Sequence, residues 1–205
     1  MYTPSHFQGS DAVDAVAAFV DAYGFGLLVS VGPDGLPFAT HLPFQYDKTR
    51  GPKGTLHVHM ARANPQWQAF DGKTGAMAAF QGEHAYISPS WYTVKDSVPT
   101  WNYEALHLYG QPREVTGPAA RAIVESLVAR YESGREPPWA IAAASEPFLQ
   151  GMLRGIVALE IPIERIEMKA KLSQNRRPAD RERVIAALRR EGQTALADRM
   201  EKSGR

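Results

Sequence analysis

The chain has 205 residues, no cysteine, 44% hydrophobic residues and a formal net charge of +1. That length and apolar content can bury a sizeable core without cross-links. The lack of thiols excludes a disulfide scaffold, a thiolate zinc site, an iron–sulfur cluster and a cysteine nucleophile, and the balanced charge excludes a whole-protein field that would draw the chain onto nucleic acid or an anionic membrane.

The start, MYTPSHFQGSD, lacks the basic and apolar regions of a signal peptide. No later run reaches the ~18 apolar residues that span a bilayer, so a soluble cytoplasmic protein without a membrane partner is expected. Ser10 or Asp11 can cap a helix on which Val13, Val16, Ala17 and Val20 recur up to a stop near Gly24. FGLLVSV, the turn GPDG and LPFATHLPF then read as a β-hairpin. In LHVHM, alternation sends Leu56, Val58 and Met60 to one strand face and His57 and His59 to the other.

Further β-type runs follow at TGAMAAFQG, HAYIS, NYEALHLYGQPREV and GIVALEIPIERIEM. About seven short strands punctuated by Gly and Pro predict an antiparallel barrel rather than a parallel doubly wound sheet. From Pro118, the stripe Ile123, Val124, Leu127, Val128 and Tyr131 predicts a helix ended by SGREPP, and a second helix is expected over 139–153. Val184, Ile185 and Leu188, then Gly192 before Leu196 and Met200, predict one or two short docked helices. The expected organisation is a barrel domain over 1–170 with helical decorations, and a polar segment with short helices over 171–205 packed on the same domain.

Four constellations carry chemistry. His57 and His59 share a strand face, but a metal would need a third ligand, and packed or surface histidines account for the pair better; no metal is expected. Asn64 suits an N-cap and Pro65 the first helical position, so Arg62 beside free backbone N–H groups makes either a phosphate corner or an ordinary helix start. Trp91, Tyr92, Trp101, Tyr103 and Tyr109, with Ser88, Ser90, Asn102 and His107 between them, suit the walls of a flat heteroaromatic site, or a core or subunit interface. In KAKLSQNR, Lys171, Ser173, Gln174, Asn175 and Arg176 form either a ligand clamp or a solvated linker. There is no Ser-His-Asp order, P-loop, G-x-G-x-x-G or H-E-x-x-H, so chemistry would come from a cofactor.

MYTPSHF, HLPF at 41–44, HMARANPQW at 59–67, FQGEHAYISPSWY at 80–92, VPTWNYEALHLYG at 98–110 and KLSQNR at 171–176 together resemble the PaiB family, in order and over nearly the whole chain. The resemblance implies a mainly β protein with peripheral helices, an FMN-binding split β-barrel related to pyridoxamine-phosphate oxidases and flavin reductases. It implies a homodimer with FMN in a groove between subunits. Members are commonly labelled negative transcriptional regulators of protease and sporulation genes.

By the same likeness Arg62 and Asn64 lie beside the phosphate, Thr40, His41, Leu42 and His59 line the flavin edge, and Phe80 and Gln81 come from the next strand. Trp101, Asn102 and Tyr103, with Lys171, Gln174 and Asn175, reach the cofactor from the partner subunit or close over its ring. One departure is that many pyridoxamine-phosphate oxidases grip phosphate with a Ser-Arg-Lys run, where Ala61, Arg62, Ala63 and Asn64 offer one cation.

The functions that follow are an FMN-dependent reductase or oxidase of a small planar substrate, with His41 or His59 as proton donor, or a regulator in which flavin acts as sensor and DNA is a partner. Haem binding is a third alternative. For the DNA reading, Arg176, Arg177, Arg181, Arg183, Arg189 and Arg190 make the tail basic, but Glu182 and Glu191 interrupt it and no helix-turn-helix is legible.

Overall fold

The computed structural model describes residues 1–94 and 96–203. The strands are β1 (Phe25–Val31), β2 (Pro37–Pro43), β3 (Gln45–Asp47), β4 (Thr55–Ala61), β5 (Ala76–Ile87), β6 (Thr100–Gly110), β7 (Arg113–Val115) and β8 (Ile156–Lys171). The helices are α1 (Val13–Tyr23), α2 (Gly117–Glu132), α3 (Glu146–Arg154), α4 (Pro178–Arg190) and α5 (Thr194–Lys202). Among the described residues the strands are hydrogen-bonded in the order β2-β1-β5-β6-β8-β4-β3, with β7 on β8. The fold is a split β-barrel with peripheral helices.

Several expectations shift in detail. The runs TGAMAAFQG and HAYIS belong to one strand, β5, whose in-out alternation slips by one residue between Glu83 and His84. Gln111 and Pro112 separate β7 from β6, since proline has no N–H for the ladder. The helix expected over 139–153 begins only at Glu146, with Pro147 in its first turn; Ile141–Ala143 is a single 3-10 turn. The helix start after Asn64 is also one 3-10 turn, Pro65–Ala69.

The chain divides into two compact units, each with its own packing. The first comprises Val13–Phe80 and Leu108–Ile166. Its hairpin pairs β1 with β2 in the register Leu27↔His41, Leu28↔Thr40 and Val29↔Ala39. Gly35 makes the turn possible with φ +78, a left-handed conformation that glycine adopts without a Cβ clash. Because paired residues share a face, Leu28, Thr40 and Leu42 point one way and Leu27, Val29, Ala39 and His41 the other.

β4 pairs with β8 in the register His57↔Glu160 and His59↔Ala158. Leu56, Val58 and Met60 are buried on one face of β4, as the alternation predicted. The histidine face is covered: Ile123 and Leu127 of α2 cluster with Ala158. This explains why β8 is buried at five consecutive positions, Val157 to Ile161.

The second unit comprises Met1–Ala12, Gln81–His107 and Glu167–Arg205. Its core joins Ala85, Ile87 and Tyr92 to Leu172 and to Val184, Leu188, Leu196, Ala197 and Met200 of α4 and α5. Gly192, at φ +78, turns the chain between these helices. Buried Glu104 accepts from Arg199 at 2.7 and 2.8 Å, a bidentate grip that pins α5.

Candidate functional site

In the first unit the structure resolves the polar corner after β4. Asn64 caps the 3-10 turn by accepting from the Gln66 N–H at 2.9 Å, and its amide donates to the Thr40 hydroxyl of β2 at 2.9 Å. Buried Gln66 donates to the Leu28 and Phe38 carbonyls at 3.0 and 3.2 Å. Asn64 and Gln66 therefore strap β4 to the β1–β2 hairpin. The start after Asn64 is a five-residue 3-10 turn, with fewer aligned peptides than the helix terminus that the phosphate-corner reading assumes.

Arg62 is engaged within the chain. Its guanidinium donates to the Arg154 and Ile156 carbonyls at 3.1 and 2.8 Å, pairs with Glu114 at 3.2 Å and lies 5.4 Å from the Trp67 ring centroid. It lines a cavity of about 510 Å³ with Glu114, Arg121 and Arg154. His59 lies on the covered face, where burial lowers its pKa, and its Nδ1 is buried without a hydrogen-bond partner. His57 lies 3.4 Å from Arg50 and is lowered by burial and by that cation.

The remaining expected positions of this unit separate by strand geometry. Adjacent residues on a strand face opposite sides, so Thr40 and Leu42 turn inward while His41 is exposed, its ring 6.0 Å from that of Phe25. Phe80 is core, packed edge-on against Phe44 at 5.2 Å.

In the second unit, Trp101 is 53% exposed, with the Tyr86 and His84 rings 6.1 and 6.4 Å away. Tyr103 lies beside Lys169, whose ammonium is 5.1 Å from the ring centroid and donates to the Tyr2 carbonyl at 3.0 Å. Lys171 donates to the Thr100 hydroxyl and, at 2.7 Å, to the Trp101 carbonyl. Its pKa is lowered by burial and by the Lys169 and Arg176 cations. Among the described residues neither lysine has a carboxylate partner. Flat aromatic walls next to uncompensated cations fit a planar, anionic ligand such as a flavin phosphate.

Asn102 and Gln174 are otherwise engaged. Asn102 is 1% exposed, with its amide on Ser173 Oγ at 2.9 Å. Gln174 accepts from Leu172 N at 2.7 Å and donates to the Ala170 carbonyl at 2.5 Å. Ser173 holds φ +63, a strained conformation for a non-glycine residue that this knot of bonds sustains. Asn175 and Gln81 are exposed. Lys169, His84 and Tyr86 join this face as well, and their signal in the sequence is the alternation of KAK and HAY. Among the described residues no group of three or more His, Cys, Asp or Glu could hold a metal ion.

Comparison with known proteins follows the same lines. A family described as "Putative FMN-binding domain" matches residues 1–165. The chain is 37% identical to the protease synthase and sporulation protein PAI 2 of Bacillus subtilis, over 93% of this chain and 90% of that protein. The structure of an FAD and haem binding protein from Mycobacterium smegmatis shares the fold with a TM-score of 0.59 at 18% identity, covering 79% of this chain and 72% of that one. A conserved hypothetical protein from Mycobacterium tuberculosis gives 0.59 at 17% identity, covering 87% and 94%.

Proposed function

The chain belongs to the putative FMN-binding-domain family and is a relative of Bacillus PAI 2, and from that premise we propose that it holds FMN as a flavin-dependent oxidoreductase of a small planar substrate. The observation that carries the ligand reading is the face formed by Trp101, Tyr103, His84 and Tyr86 beside Lys169 and Lys171. When bound, FMN supplies hydride or single-electron chemistry; the protein's part is to seat its ring and anionic tail. Among the described residues no helix is long and apolar enough to cross a membrane.

The regulatory reading, with DNA as partner, receives less support from the tail. Arg183 donates to the Trp91 carbonyl, Arg189 pairs with Asp198 and Glu201, and Arg176 stacks 4.3 Å over Tyr92. Those guanidiniums are engaged inside the unit, and α4 and α5 bury their apolar faces in its core. Among the described residues of the tail no recognition helix stands free for a groove.

A homodimer completes the proposal. The outward face of the hairpin carries Leu27, Val29 and Ala39 in register with Ala79 and Met77 of β5, flanked by exposed Phe25, Val31 and Leu36. A face of this composition suits a second copy of the chain.

The test is fluorescence titration of FMN and riboflavin into the wild type, Lys171→Met and Arg62→Met, followed by anaerobic reduction with NADH or NADPH. Tight FMN binding, weakened about tenfold or more in Lys171→Met with riboflavin affinity unchanged, is the expected result. If Arg62→Met alone gives that loss, the phosphate belongs to the corner after β4. Failure of both flavins to bind sinks the cofactor, and binding without reduction sinks the oxidoreductase.

A further inference from the structure

A small pocket under the helices of the first unit has a composition unlike the flavin-like face. It has a volume of about 180 Å³ and is lined by His59, Arg121, Val124, Ile141, Leu149, Met152, Leu153 and Ile156. Apart from His59 the walls are aliphatic side chains and the stem of Arg121, whose guanidinium is held by Glu125 and Glu146 at 2.7 and 2.6 Å. His59 Nδ1 is buried and without a partner, so a bond to an occupant falls to the Nε2 edge of the imidazole.

The element arrangement supplies the geometry. His59 projects from the face of β4 that α2 covers, Val124 comes from α2, and Leu149, Met152 and Leu153 come from α3. Apolar cavities of roughly 150 Å³ are known to stay dry and to accept a benzene ring. A pocket slightly larger, with one imidazole among apolar side chains in its wall, suits a ring carrying a hydroxyl.

We propose that this pocket is a binding site for a monocyclic phenol, with the aromatic ring among Val124, Leu149, Met152 and Ile156 and the hydroxyl on the His59 imidazole. The inference does not rest on the flavin reading, because the ligand is seated by His59 and the α2–α3 walls alone. A neutral imidazole can donate to or accept from a hydroxyl, so the bond forms with either tautomer.

The test titrates phenol and toluene separately into flavin-free wild-type protein, followed through the methyl signals of Leu149, Met152 and Ile141. Phenol is expected to shift these signals at millimolar concentration and to bind about tenfold tighter than toluene. His59→Leu should reverse that order, and Leu149→Trp, which fills the space, should abolish both. Unfolding of a variant leaves the wild-type comparison decisive, since equal affinities for phenol and toluene, or no shift with either, overturn the proposal. Displacement of phenol by FMN would also overturn it, by making the pocket part of the flavin site. Failure of FMN to bind while phenol binds would instead strike only the flavin reading.

Discussion

Glu160 shows how a single charge is tolerated beneath a helix. Its side chain is 6% exposed and is gripped by Arg50 and Arg113 at 2.5 Å each, both about half exposed. Removing the carboxylate returns two arginines to water, whereas removing the arginines strands a buried anion. Glu160→Leu should therefore cost less than the Arg50→Ala/Arg113→Ala double variant, by about 1–3 kcal/mol in urea unfolding. Equal losses would refute the asymmetry. The two histidines on the same strand face give a pH prediction. Both titrate below the ordinary value of 6.5 in the folded chain. Well above that pH both states are neutral and the histidines add nothing to the pH dependence. As pH falls through it the unfolded chain binds protons that the fold does not, so stability drops until the folded-state values are passed. His59→Gln should flatten the stability profile below about pH 6.5. A slope unchanged by substituting either histidine would show that other groups set it.

At the scale of elements, the strap between β4 and the hairpin can be isolated. Thr40→Val removes only the hydroxyl that accepts from Asn64, whereas Asn64→Ala also removes the cap of the following turn. Thr40→Val should cost at most about 1 kcal/mol and Asn64→Ala about 1–2 kcal/mol, with a coupling near 1 kcal/mol in the double-mutant cycle. Zero coupling would mean the strap does not hold the hairpin. The same residues mark where the sequence was legible. Alternation in LHVHM assigned the two faces of β4 correctly, and Asn64-Pro65 located a cap, because both signals are local. The length of the turn was not local. Nor was the fate of the histidine face, which depends on α2 and α3 arriving from some sixty to ninety residues later in the chain. Phe80 and Asn102 carry ligand-compatible chemistry in sequence, and only tertiary packing sends one against Phe44 and the other onto Ser173. Lys171 and Trp101 enter the proposed face through the family motifs KLSQNR and VPTWNYEALHLYG, which contain them.

For the whole molecule the decisive question is what covers the outward face of the hairpin. Its row Leu27, Val29 and Ala39 is continued by Met77 and Ala79, so the apolar surface runs across three strands without a charge. Phe25, Val31 and Leu36 at its margins are 67%, 59% and 63% exposed. Single exposed apolar residues need no explanation, but a contiguous row on a sheet face does, since burying it against a like face gains about 25 cal/mol per Å² of apolar area. An isologous contact would bring two copies of the row together around a two-fold axis, so one substitution acts twice. Val29→Lys places two ammoniums in that contact and leaves the core face of β1 untouched. We expect wild-type protein to sediment as a dimer at micromolar concentration and Val29→Lys as a monomer with native circular dichroism. FMN affinity should fall in Val29→Lys along with the loss of dimerisation if the cofactor groove requires both chains. A monomeric wild type, or a variant that still dimerises, would move the subunit contact away from this face.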